Sequence, residues 1–543
     1  MMSGRDGWTM SKRAVFVFVL LIAAVSMLAL NLFNISAGKK YTQAATVKSS
    51  NTLTLSSGRG AILDCNGRPL VSTEQVIQAV INPTPEAFEA LSRVLTKGQM
   101  AEIFELFQSR KPFVYNVGTD KIQCEDVILF PTFHRYNTYQ SAPHIIGYLD
   151  ADGKTGVYAV EKAFDSLLRN TGGLQVTYFT DALGRSLEGL PPQVVDSSSK
   201  NSVTMTIDGN LQSIVQQIAK ENIKAGAALL VDVQTREIKA SASMPDFSPQ
   251  FLGKAVAEEN APFINRAFTG YNAGSVFKLT TVAAALEKGV PQSREYTCTG
   301  SITVHGQTFK CHKLSGHGKI NLQEAVQESC NTYFVDLVCQ TERGGDMLLD
   351  MSMTLGFGTE TTFVEGYSTA KGVLPQRASF INPAAVANFA FGQGNLLITP
   401  VQMANLLCTI CAGGEMGQLS LIKEKTGEDG QRIAYPKGET RRVFSEDTAG
   451  KLMEYMKTVV EQGTGQKAKP SQTDAAGKTA TAQTGILKNG REVDHVWFAG
   501  FFPYDKPKYG LVVLVEDARN GSGEAAEIFK KTADTIWSYP EYR

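Results

Sequence analysis

Residues Ala14 to Leu30 are apolar on every side except at Ser26, and Leu32 and Phe33 extend the run past Asn31. A helix this apolar all round does not fit a protein surface. Its length matches the roughly 20 residues that cross a bilayer as a helix. Arg5, Lys12 and Arg13 precede it and Lys39 and Lys40 follow it, so the positive-inside bias is present but small. A buried core helix and a cleaved signal peptide are the rivals. Ile35-Ser36-Ala37 would pass for a small-residue cleavage site, but the run is longer than a signal core. The sequence therefore predicts an uncleaved single-pass anchor at 14–33 in the cell membrane, a cytoplasmic tail at 1–13, and everything later outside the cytoplasm.

The remaining chain is too long for one ordinary domain, at 543 residues in all. Lys plus Arg and Asp plus Glu are both 53, and no basic stripe carries interleaved aromatics. Nucleic-acid binding has little support. A Ser-, Thr-, Lys- and Gly-rich tether is expected at 34–58. From 59 to 200, short strands and helices punctuated by Pro131, Pro143, Pro191 and Pro192 suggest an α+β pedestal or dimerisation-type domain without catalytic residues. Asn66-Gly67 between apolar runs is a hairpin signal of the I′ kind.

A second domain is expected at 201–543. A strand at Val203–Asp208 runs into a helix that carries Leu211, Ile214, Val215, Ile218 and Ala219 on one face. Ala227–Val233 with Glu237–Ser243, and Val496–Phe502 with Tyr509–Val515, make two strand pairs around a helical middle. That order predicts an α/β fold, an antiparallel sheet covered by helices.

Three polar clusters sit on this second domain. In Ser275-Val276-Phe277-Lys278, the serine begins a helix that runs to Glu287 and ends at Gly289. Free N–H groups at a helix start favour negative charge on a bound oxygen. Lys278 lies one turn on, within reach of the serine oxygen, and a desolvated lysine there can take the serine proton. Taken alone, a serine cap followed by a surface lysine explains this cluster as well. In Ser329-Cys330-Asn331, Ser329 suits a proton relay, Asn331 can offer its amide to a peptide bond, and Cys330 faces away as a small packing residue. Gly477-Lys478-Thr479-Ala480-Thr481 alternates like an edge strand. Lys478, Thr479 and Thr481 suit a terminal carboxylate, and the N–H groups of Thr481 and Ser275 an oxyanion hole.

In this order the clusters resemble the active site of class B penicillin-binding proteins, membrane-anchored peptidoglycan D,D-transpeptidases. The resemblance extends to Arg59-Gly60…Asp64…Asn66-Gly67, Asn265-Arg266-Ala267 with Tyr271, His317-Gly318, Gly392-Gln393-Gly394 and Trp497-Phe498-Ala499-Gly500. It implies an acyl-enzyme on Ser275, catalysis by Ser275, Lys278 and Ser329, and substrate binding by Asn331, Lys478, Thr479 and Thr481. It also implies stem-peptide substrates, acylation by β-lactams, no cofactor, and a SEDS-family glycan polymerase as partner. Two residues depart from the family pattern. Ala480 replaces a glycine, adding a methyl expected to narrow the cleft, and Ala273 replaces a proline ahead of the nucleophile. The alternatives are a D,D-carboxypeptidase, a serine β-lactamase and an inactive β-lactam sensor or scaffold. No Glu-x-x-Leu-Asn segment between Asn331 and Lys478 supplies a lactamase's deacylating base.

Eight cysteines are too few for a disulfide scaffold. Cys298 and Cys311 are the pair that an oxidising exterior would close. Zinc on Cys298, Cys311, His312 and His317 is set aside, because the spacing matches no common structural pattern. Cys408 and Cys411, in an apolar run, are expected to be core residues.

Overall fold

The structure is a computed structural model that describes residues 7–37, 50–170, 172–187, 189–488, 490–519 and 521–543. Gly7–Ala37 is one helix, and its stretch Lys12–Asn34 is long and apolar enough to cross a membrane, with none of it buried. The tail and tether expected around it fall partly on residues 1–6 and 38–49, outside the described ones.

The chain divides into two compact units. Met1–Gly58, Gln75–Phe133 and Thr171–Ser198 form the first, and Arg59–Glu74, His134–Asn170 and Ser199–Arg543 the second. Residues 59–74 and 134–170, predicted to lie in the pedestal, thus belong with the larger unit. Strand pairing supplies a reason: Ala61–Leu63 runs parallel to Ser202–Met205. At Asn66-Gly67 only Gly67 has positive φ, so the turn is not type I′; Asp64 Oδ1 accepts from the N–H groups of Asn66 and Arg68 instead.

In the smaller unit, Gln75–Ile81 is the middle strand between Phe113–Asn116 and Val127–Phe133. Two helices cover that sheet: Pro85–Ser92, capped by Thr84, and Lys97–Gln108, opened by a Thr96/Gln99 capping box. Ala79, Ile81, Leu91, Ile103 and Phe113 form the core between them.

The larger unit is built on five strands: β1 (Gly226–Asp232), β2 (Glu237–Met244), β3 (Ala476–Lys488), β4 (Arg491–Phe502) and β5 (Tyr509–Val515), in the order β2-β1-β5-β4-β3. Every pair is antiparallel, as the sequence predicts. Side chains alternate along β5. Val512 and Leu514 enter one core, and Leu511, Val513 and Val515 the other. Both faces are covered at β5, so that strand is hydrophobic throughout rather than alternating with polar residues.

Helices α1 (Gly209–Asn222) and α5 (Gly523–Ser538) close one face through Leu211, Val215, Phe529 and Ile536. Asp208 caps α1 by accepting from the N–H groups of Asn210 and Leu211. The other face carries α2 (Lys278–Glu287), α3 (Asn331–Gln340) and most of α4 (Glu446–Glu461). The β3 strand is the sheet's edge, and it borders the 3₁₀ turn Gly274–Phe277 that leads into α2.

Candidate active site

Ser275 sits in the 3₁₀ turn at Gly274–Phe277, immediately before α2. Gly274 makes the turn possible. Its φ is +58°, and a Cβ there would stand 2.9 Å from the carbonyl oxygen of Thr481 on β3. Gly392 closes the other side: it accepts from the Gly274 N–H at 2.9 Å, and a Cβ on it would fall 2.0 Å from that residue's oxygen. The glycine run at 392–394 therefore shapes the nucleophile turn.

Lys278 is completely buried one turn later. Its Nζ donates to the Ser329 carbonyl at 2.7 Å and to Asn331 Oδ1 at 2.8 Å, and lies 3.3 Å from Ser329 Oγ. Burial lowers its pKa to about 7, although the nearby thiols of Cys330 and Cys311 pull the other way. Two of these partners are pure acceptors. A neutral amine gives them its two N–H groups and keeps its lone pair for a hydroxyl proton.

Ser329 lies between the helix Leu322–Gln327 and α3, with φ of +52°, a costly conformation for serine that the surrounding bonds enforce. Asn331 opens α3, and its Nδ2 donates to the Lys310 carbonyl at 3.3 Å. Ser275, Ser329, Asn331, Thr479 and Thr481 line a single cleft, joined by Gln393 and Asp494. Lys478 is fully buried and is not among the cleft-lining residues. Its Nζ donates to the Thr479 carbonyl at 3.1 Å, and burial followed by the charge of Lys278 holds its pKa well below the usual lysine range. Thr479 is fixed by Thr464, Oγ1 to Oγ1 at 2.8 Å. Five of the seven predicted site residues therefore line the cleft, and the buried Lys278 and Lys478 each donate to a residue that lines it.

Two long-range hydrogen-bonding contacts hold the segment ahead of Ser275. Glu516 accepts from Arg266 Nε at 2.7 Å and from the Tyr271 hydroxyl at 2.6 Å. Trp497 Nε1 donates to the Asn272 carbonyl at 3.0 Å. Together they tie the segment ahead of Ser275 to the sheet. Asp494 faces the cleft with Oδ1 buried and without a hydrogen-bond partner among the described residues, and its pKa is raised by burial. A single acidic residue in a strand gives no sequence signal for such a position.

Residues 226–534 match the family model of the penicillin binding protein transpeptidase domain. The chain belongs to the class B penicillin-binding proteins. Among its relatives, stage V sporulation protein D of Bacillus subtilis is 26% identical, over 94% of this chain and 82% of its own. Penicillin-binding protein PbpB of Mycolicibacterium smegmatis is 30% identical over 85% of this chain and 72% of its own. The crystal structure of penicillin binding protein 3 from Mycobacterium tuberculosis, complexed with aztreonam, has the same fold, with a TM-score of 0.65 at 22% identity over 90% of this chain and 97% of that one.

Proposed function

We infer that the chain is a serine D,D-transpeptidase that cross-links peptidoglycan stem peptides, and that β-lactams acylate the same serine. The observation that carries this is the buried Lys278, held by Ser329 and Asn331 beside the turn that presents Ser275. Ser275 Oγ attacks the carbonyl of the D-Ala-D-Ala bond while its proton passes to Lys278. Ser329 relays a proton to the departing D-alanine amine as the C–N bond breaks. The N–H groups of Ser275 and Thr481 hold the oxyanion, and each such donor typically contributes a factor of about 10² to 10³ in turnover. An acceptor amine then attacks the acyl-enzyme, and its proton returns along the same path to Ser275.

The donor peptide lies along β3, the edge strand of the sheet, and pairs with it as an extended chain. Asn331, Thr479 and Thr481 bind it from the cleft, and Lys478 braces that wall from behind by donating to the Thr479 carbonyl. The Lys12–Asn34 helix is read as a membrane anchor with the catalytic unit outside the cytoplasm, and the smaller unit as the pedestal. A SEDS-family polymerase would supply the glycan strands.

Intact-mass measurement after penicillin treatment tests the reading. Wild-type protein is expected to gain one penicillin, and Ser275→Ala none. An adduct of the same mass and rate on the alanine variant overturns it.

A further inference from the structure

Cys298, Cys311, His317 and Cys330 lie on four separate segments between 298 and 330, and their ligand atoms all lie within 4.8 Å of one another. Each comes from a different place. Cys298 ends the strand Tyr296–Cys298, and Cys311 follows the strand Gln307–Lys310. His317 precedes the strand Gly318–Ile320, and Cys330 is the residue before α3. We propose that these four side chains form a tetrahedral zinc site that fastens this ribbon of strands to the Ser329-Cys330-Asn331 loop.

Two of the ligand-to-ligand distances match that metal. Zinc bonds of about 2.3 Å to sulfur and about 2.05 Å to nitrogen give tetrahedral edges of about 3.8 Å between sulfurs and about 3.6 Å from sulfur to nitrogen. Cys311 Sγ lies 3.8 Å from Cys330 Sγ and 3.6 Å from His317 Nδ1. Thr332 Oγ1 donates to Cys298 Sγ at 3.1 Å, the kind of outer hydrogen bond that steadies a metal-bound thiolate. A disulfide between Cys311 and Cys330 would use two of the four groups and leave Cys298 and His317 aimed at it for no purpose. The eight cysteines are free in the structure. The ligand order explains why spacing conceals the site: three ligands come from the ribbon, and the fourth lies inside the catalytic Ser-Cys-Asn cluster. Binding turns three thiols into thiolates and releases three protons, with nothing oxidised or reduced.

The site has a consequence for catalysis. Ser329 and Asn331 flank Cys330, and both touch Lys278. A metal bound through Cys330 holds the strained Ser329 backbone and the Asn331 amide in register with the lysine. Zinc acts here by positioning, and it stays outside the acyl transfer.

The test is metal content, measured on full-length protein purified under reducing conditions from zinc-supplemented cells. About one zinc per chain is expected by mass spectrometry. Cobalt exchange should give the near-ultraviolet thiolate-to-metal band of a thiolate-rich tetrahedral site. Cys298→Ser and His317→Ala should weaken zinc retention at least about 10-fold against a chromophoric chelator, whereas His312→Ala keeps it. The chelator titration and cobalt spectrum of the wild type need no variant, so a misfolded substitution does not blunt the test. Ser275→Ala should hold zinc normally while refusing penicillin, which separates this proposal from the acyl-enzyme reading on which its positioning role rests. Less than about 0.1 zinc per folded chain, a Cys311–Cys330 disulfide seen as a loss of two hydrogens, or undiminished binding by Cys298→Ser would each overturn it.

Discussion

The larger unit contains two clusters of buried charge, and they are built on opposite rules. Around Glu161, each cation meets a carboxylate. Arg59 Nε and Arg135 Nε donate to Glu161 at 2.7 and 2.8 Å, and Arg59 also reaches Asp165 at 2.9 Å. Tyr136 and the Gly60 carbonyl satisfy more of the remaining polar atoms. Around Ser329, two fully buried lysines meet only carbonyl and hydroxyl oxygens, and no ion pair reaches either among the described residues. Burying unpaired charge costs far more than burying paired charge, and a lysine meets that cost by giving up its proton. The paired cluster therefore serves the fold. The unpaired one is a store of basicity, and that marks it as the chemical site.

Replacing Lys278 should have the largest effect. Lys278→Met is expected to slow penicillin acylation by about 10³- to 10⁴-fold, the upper range for general acid–base groups, without loss of stability. In the wild type, acylation should rise with pH through about 7 as Lys278 loses its proton. Stability carries the same signature. The group titrates at about 7 when folded against 10.5 when unfolded, so the folded state binds fewer protons between those values and stability rises with pH across that window. Chemical denaturation of Lys278→Met between pH 7 and 10 should give a flatter profile than wild type. A variant as unstable as one lacking Glu161 would collapse the distinction between the clusters.

Glu161→Ala is the converse experiment. It leaves Arg135 without its carboxylate and Arg59 with Asp165 alone, and breaking a buried pair typically costs about 3 kcal/mol or more. Acylation measured well below the unfolding midpoint should stay within about 2-fold of wild type. A selective loss of acylation with normal stability would move Glu161 from scaffold to site.

The two clusters also differ in how far the sequence discloses them. Ser275 and Lys278 are one helical turn apart, so their chemistry is local and legible, and alternation along 478–481 discloses an edge strand. The supports are not local. Glu161 meets Arg59 across 102 residues and Glu516 meets Arg266 across 250, and no periodicity links such partners. The same blindness hides the Cys298–Cys330 convergence and the unit boundaries. Residues 59–74 and 134–170 fold with the larger unit around an insertion that a linear scan takes as one domain. Lys478 is the subtler case. Its residue type suggested a direct carboxylate ligand, but its burial depends on which face of β3 meets the helices.

Ala480 gives the smallest effect, and it bears on the same face of that strand. A methyl in place of glycine was expected to narrow the cleft for bulky penicillins. Ala480 borders the cleft but is 2% exposed, pairs with Trp497 across β3 and β4, and packs in the core with it. Alternation sets Thr479 and Thr481 on one face and Ala480 with the buried Lys478 on the other. Removing the methyl should therefore leave a small void and loosen the strand, at a cost of about 1 kcal/mol. Acylation by a bulky and by a compact penicillin should change by less than about 3-fold, and by the same factor. The steric reading requires a different outcome: several-fold faster acylation of Ala480→Gly by the bulky penicillin alone, at unchanged stability. Rates with both penicillins, taken beside a denaturation curve, separate a methyl that guards the cleft from one that packs against Trp497.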